Sequence, residues 1–163
     1  MTDARSFDAS KVDATLASTL DSLDDALNYR NWIVDLSKPH LAEPLLEVGA
    51  GHGTFTESFV ELGSVTAVEP GSYAAGLLTD RFADDDRVTT VSGTVADVAD
   101  TPVFGAAVMI NVLEHIEDDQ GVLREIRDRL EPGRCLVIWV PAFQLLYSPF
   151  DEKLGHVRRY RKQ

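Results

Sequence analysis

The chain has 163 residues, 44% of them apolar and 26% charged, the balance of one soluble globular domain. Its net charge of -12, from 15 basic and 27 acidic residues, repels a nucleic-acid backbone and argues against a duplex-binding role. Cys135, the single cysteine, excludes an internal disulfide and a zinc site of paired cysteines, and it fits a reducing, cytoplasmic setting.

The longest run without charge, residues 135–150, is interrupted by Pro141, Gln144 and Pro149 and falls short of a membrane span. The opening MTDARSFDAS lacks the apolar stretch of a signal peptide and is acidic where a transit peptide is basic. Charge is uneven along the chain. Residues 1–80 hold 4 basic and 13 acidic groups, whereas KLGHVRRYRKQ (153–163) holds five basic groups and no acid, either a local anion-binding surface or a solvated terminal segment.

Residues 10–36 predict one amphipathic helix, with Val12, Leu16, Leu20, Leu23, Leu27 and Val34 at helical spacing, Ser10 as N-cap and Lys38-Pro39 as the stop. PLLEVG (44–49) predicts a first strand, followed by a helix over 54–62 with Phe55, Phe59 and Leu62 on one side and Gly63 ending it. SVTAVEP (64–70) predicts a second strand. The helix over 72–82 takes Ser72 as N-cap and turns Leu77, Leu78 and Phe82 inward. RVTTVSG (87–93) alternates as a third strand, and PVFGAAVMINV (102–112) contains a fourth that is apolar on both faces, as a central parallel strand is. A helix over 117–131 carries Leu123, Ile126 and Leu130, and RCLVIWVP (134–141) is the fifth strand. This alternation predicts an α/β fold: a doubly wound, Rossmann-like parallel sheet in the order 3-2-1-4-5, covered by helices on both faces.

LLEVGAGHGTF (45–55) carries the strongest chemical signal. A buried strand ends in Gly49, Gly51 and Gly53, and a helix starts at once, so the backbone can approach a ligand at the carboxyl edge of the sheet. The spacing is G-x-G-x-G, with Thr54 where the dinucleotide fingerprint has its last glycine. Glu69 ends the second strand 20 residues after Gly49, where a carboxylate can accept from both hydroxyls of a ribose. Together they point to an adenosine-bearing cofactor.

These blocks resemble the class I S-adenosylmethionine-dependent methyltransferases, in particular a small-molecule subgroup. LLEVGAGHGTF resembles the family's first motif and AVEP (67–70) the second; MINVLEHIEDD (109–119) resembles the fourth-strand block and LEPGRCLVIWVP (130–141) the fifth. PFDEKLGHVRRY (149–160) resembles a segment of that subgroup. The resemblance implies that Gly49, Gly51 and Gly53 line the methionine end of S-adenosyl-L-methionine and that Glu47 binds its amino group. It also implies that Glu69 takes the ribose, that Pro70 belongs to the cofactor-binding residues, and that Asn111 and Val112 lie against the cofactor. The position of the family's adenine-binding acid is Thr94, with Asp97 as a substitute. The family's final antiparallel hairpin has no counterpart before the chain ends at RRYRKQ, which implies a C-terminally truncated member: a helical cap (1–40), a cofactor core (41–141) and a basic segment (142–163).

The implied reaction is displacement at a sulfonium methyl, with a neutral leaving group and no general acid. A hydroxyl acceptor calls for a base. His115 is the candidate by position, read beside a helix-start role on the backbone, and Glu114 is similarly ambiguous. His156, Arg159 and Tyr160, with Arg158, either hold an anionic acceptor or pack a loop over the sheet edge. His52 is read as facing solvent, His40 as structural, and Tyr29 and Trp32 as core packing more than as a cap on the cofactor pocket. A base-flipping nucleic-acid enzyme is disfavoured, because Asn111-Val112-Leu113 replaces the Asn-Pro-Pro-Tyr type of sequence. Two alternatives stand beside methyl transfer: a non-catalytic S-adenosylmethionine-binding fragment and a nicotinamide-dependent oxidoreductase. The apolar fifth strand predicts an edge covered by residues 142–163 or paired in a homodimer.

Overall fold

In the computed structural model, which describes residues 27–100 and 103–161, the apolar runs become five strands. They are β1 (Leu45–Val48), β2 (Val65–Glu69), β3 (Val88–Ser92), β4 (Ala106–Ile110) and β5 (Leu136–Trp139). All pairings are parallel, in the order β3-β2-β1-β4-β5. Among the described residues five α-helices accompany them: α1 (Leu27–Ser37), α2 (Thr56–Phe59), α3 (Ser72–Arg81), α4 (Asp119–Arg129) and α5 (Pro149–Lys153).

β1 and β4 are central because neither face carries a polar alternation that water would satisfy. Every residue of β1 and four of the five in β4 are buried. Leu45, Ala67, Ala106 and Val108 pack one face against Ile33 and Val34 of α1 and Phe59 of α2. Leu46, Val48, Val68 and Met109 pack the other against Val95, Phe104 and Ile126 of α4. Register aligns Leu45 with Val65 and with Ala106, so the carboxyl ends of β1 and β4 lie side by side. From that point the chain runs outward in opposite directions, the switch point at which open α/β sheets bind ligands.

Several local expectations differ. The helix over 54–62 is only α2 followed by a single 3-10 turn, Val60–Leu62, before Gly63 at φ 138. Gly71, not Ser72, is the N-cap of α3, and Leu77 faces outward while Ala75 and Leu78 are buried. Tyr29 and Trp32 are not core residues: Trp32 is 53% exposed and sets its ring edge-on to Trp139, 5.3 Å between centroids. The expected helix from residue 10 lies outside the described residues as far as Leu27. No helix among the described residues is long and apolar enough to cross a membrane.

Beyond β5 the chain turns back. Ala142 and Tyr160 form a parallel bridge, in which Phe143 N–H donates to Tyr160 O (2.7 Å) and Tyr160 N–H to Pro141 O (2.9 Å). Residues 142–161 thus close over the carboxyl end of the sheet and pair beyond β5 rather than along its outer edge.

Candidate functional site

Gly49 follows β1 directly, and its N–H and that of Ala50 donate to Val68 O, at 2.8 and 3.0 Å, which ties the loop to β2. Gly49, Gly51 and Gly53 have φ of 75, 58 and 95, the left-handed region that glycine enters without steric cost. A Cβ on Gly49 would stand 2.3 Å from Val112 Cγ2, so the loop lies directly against the second residue past β4. Asn111 shares the strained backbone of this crevice, at φ 54, with its N–H donating to Trp139 O (2.9 Å). Asparagine is among the few side chains that tolerate this region.

The Glu69 side chain turns over the loop. One oxygen accepts from Gly51 N–H and the other from Gly71 N–H, both at 2.8 Å. Burial raises its pKa, and these two donors oppose the rise. A carboxylate offers about four acceptor directions, and the backbone takes two, so two remain for a pair of hydroxyls. The sequence-predicted ribose acid therefore fits a ribose on this geometry. Pro70 follows it at the exposed turn into α3.

Glu47 is buried in β1, where Thr56 Oγ1 donates to its Oε2 at 2.6 Å. Burial pushes its pKa up to about 8, with Thr56 lowering it and the neighbouring Glu69 raising it. The raised value means that stability associated with this group is complete below the ordinary carboxyl range and is lost as pH rises toward 8. Glu47→Gln is thus expected to match the parent chain in urea unfolding near pH 4.5 and to be the more stable of the two at pH 8.5. A parent chain as stable as the variant at both pH values would contradict the buried, protonated Glu47.

Thr94 and Asp97 sit together at the end of β3, in a reciprocal cap of one 3-10 turn. Thr94 N–H and Oγ1 both donate to Asp97 Oδ2, at 2.8 and 3.0 Å. His52 is half-buried, not fully solvent-facing as expected. His40 is exposed, and its carbonyl accepts from Cys135 Sγ at 3.1 Å.

A second group of residues gathers past Asn111, on the turn Leu113–His115 and the returning segment. Glu114 is fully buried, and neither of its carboxylate oxygens has a hydrogen-bond partner. Burial pushes its pKa up to about 7, against the pull of its own N–H. His115 and His156 meet edge to face, 4.8 Å between ring centroids, and burial followed by the charge of His156 lowers the pKa of His115.

Asp151, the buried hub behind His156, comes from α5. Ser148 N–H and Oγ donate to its Oδ2 as a capping box, each at 2.9 Å. Arg159 grips both oxygens, Nε to Oδ1 at 2.7 Å and Nη2 to Oδ2 at 2.9 Å, and holds the carboxyl well below its usual range. His156 Nδ1 lies 3.0 Å from Oδ1. With Asp151 ionised, that nitrogen carries the proton and donates it. Tyr160 is committed to this frame as well: its hydroxyl donates to Asp119 Oδ2 (3.0 Å) and approaches Leu113 O (3.3 Å). The sequence reading missed Asp151. The Ser148-to-Asp151 spacing of a helix start was its signal, but its partners lie five and eight residues further on.

A family profile for the methyltransferase domain matches residues 46–136, the span from β1 to the start of β5. The chain belongs to the methyltransferase domain family. Among solved structures it is similar to the glycopeptide N-methyltransferase MtfA complexed with S-adenosyl-L-homocysteine, at 26% identity and a TM-score of 0.60, over 70% of this chain and 49% of that one. It also shares its fold with DesVI of Streptomyces venezuelae: 23% identity, TM-score 0.64, 80% of this chain and 58% of that one. The same holds for phosphoethanolamine N-methyltransferase 2 of Haemonchus contortus: 19% identity, TM-score 0.69, 82% of this chain and 34% of that one. The chain thus spans about half the length of MtfA and a third of the Haemonchus enzyme. No curated protein matches it in sequence.

Proposed function

We propose that the chain binds S-adenosylmethionine at the β1–β4 crevice and directs methyl transfer to a small-molecule acceptor. The single observation that carries this reading is Glu69, turned over the glycine loop with two acceptor directions left, across from Asn111 and Val112. When bound, S-adenosylmethionine supplies an electrophilic methyl on a sulfonium. Gly49, Gly51 and Gly53 leave backbone room for its methionine end, Glu47, ionised on meeting the cofactor's ammonium, takes the amino group, and Glu69 takes the ribose with Pro70 beside it in the cofactor site. Thr94 and Asp97 border the adenine side. The chain's own contribution to the reaction is alignment, since the leaving group departs neutral.

The acceptor binds beyond Asn111, on the side of His115 and His156. Support comes from their placement on the turn after β4 and on the segment folded over it, where Val157 N–H donates to Glu114 O at 2.8 Å. A small molecule suits this site better than nucleic acid because the chain carries a net charge of -12.

Thermal unfolding with S-adenosylhomocysteine and with NAD tests the cofactor. A ligand that binds only the folded state at 100 times its dissociation constant stabilises it by about 2.7 kcal/mol. S-adenosylhomocysteine is expected to raise Tm and NAD to leave it unchanged; the reverse pattern would replace this reading with a nicotinamide-dependent one.

A further inference from the structure

We propose that Glu114, His115 and His156 form a binding site for a divalent transition-metal ion of the zinc class. One ligand atom from each of the three lies within 4.8 Å of the others. Ligand atoms around a tetrahedral zinc stand roughly 3.5 Å apart. Side-chain rotation of about 1 Å therefore closes the group on an ion, and the exposed side of His115 leaves room for it.

Glu114 is the observation that calls for a cation. Its carboxylate is 0% exposed, and both oxygens lack a partner. Buried carboxylates are ordinarily paired or bound to a metal. Two arginines of the nearby segment are committed elsewhere: Arg158 to Asp119 and to the carbonyl of Glu117, Arg159 to Asp151. The two imidazoles lie beside the carboxylate.

The surroundings of His156 are those of a metal ligand. Its Nδ1 is engaged by Asp151 Oδ1 at 3.0 Å, which leaves Nε2 as the coordinating nitrogen. A carboxylate behind an imidazole orients the ring and raises its basicity, a recurrent arrangement around zinc. Asp151 is itself immobilised by Arg159 and by Ser148. Two imidazoles and one carboxylate suit zinc and its neighbours rather than magnesium or calcium, which favour oxygen ligands. Three protein ligands also leave a coordination position open, as catalytic rather than structural zinc sites do. Use of that position for an acceptor oxygen or nitrogen rests on the methyl-transfer reading; the metal site does not.

The test is a titration of the untagged full chain, stripped with a chelator, by Co2+ in visible absorption. The expected result is one Co2+ per chain, displaced by one equivalent of Zn2+. Glu114→Gln, a close isostere, and His156→Ala are each expected to weaken binding at least about 100-fold, and Asp151→Asn about 10–100-fold through its hold on His156. His115→Gln, at the exposed side, reads the same loss should a buried variant fail to fold. Absence of stoichiometric Co2+ binding in the parent chain would overturn the proposal. So would binding unchanged in Glu114→Gln and His115→Gln.

Discussion

Glu69→Ala is expected to weaken S-adenosylhomocysteine binding at least about tenfold while leaving the fold intact. Hydrogen bonds to a charged acceptor contribute roughly 1.5–3 kcal/mol each, and the variant removes the acceptor for both ribose hydroxyls. It also leaves the Gly51 and Gly71 N–H groups without their carboxylate, so the loop that lines the crevice keeps only its backbone bonds to Val68 O at the end of β2. The fold survives because Glu69 is the last residue of β2 and only half-buried, outside both apolar clusters. Glu69→Gln keeps an acceptor but not the charge and falls between the parent and the alanine variant. Calorimetric titration of the three chains provides the check; equal affinities in folded variants would show that the acid does not hold the ribose.

The second large effect is expected at Gly49. Here φ is 75, and a Cβ would meet Val112 Cγ2 at 2.3 Å, so Gly49→Val combines backbone strain with overpacking. Each contributes about 1–3 kcal/mol, and together they are expected to cost about 2 kcal/mol or more. In a domain of this size that lowers Tm by roughly 4–8 °C or more. Cofactor binding is lost with it, because β1 and β4 can no longer approach at the crevice. Adding Val112→Ala restores space but not the backbone conformation, so the double variant recovers part of the Tm and not all of it. Full recovery would assign the whole effect to the Val112 contact, and no effect in Gly49→Val would refute the close approach of the two strand ends.

The sheet was legible because its information is local. PLLEVG and GAAVMI are apolar without alternation, which a strand buried on both faces requires, and the glycines follow the first of them immediately. Glu69 was legible for the same reason: its position relative to the glycine loop depends only on strand length. The helix over 54–62 read as longer than it is because Phe55, Phe59 and Leu62 keep helical spacing through a 3-10 turn. Leu77 reads as buried because residues about 100° apart on a helix can share a wide apolar face, and the pattern does not show that this face is narrow enough to leave Leu77 outside.

The basic C-terminal segment was the least legible. The pattern of Arg158, Arg159 and Tyr160 leaves two readings open, an anion site or a loop packed over the sheet edge. Folded, Arg159 neutralises Asp151, while Arg158 and Tyr160 converge on Asp119, which lies in the block after β4. Such pairings depend on where a returning chain lands. The surroundings of Glu114 share that dependence, since Val157 of the returning segment donates its N–H to Glu114 O.

On the proposed reading the cofactor occupies the crevice between β1 and β4. Amide chemical shifts of the isotope-labelled chain, followed through a titration with S-adenosylhomocysteine, test it most directly. Saturable shifts are expected at Gly49 to Gly53, at Glu69 and Gly71, and at Asn111 to Leu113, with the outer face of α4 unaffected. Shifts confined to other parts of the chain, or none at saturating ligand, would contradict it.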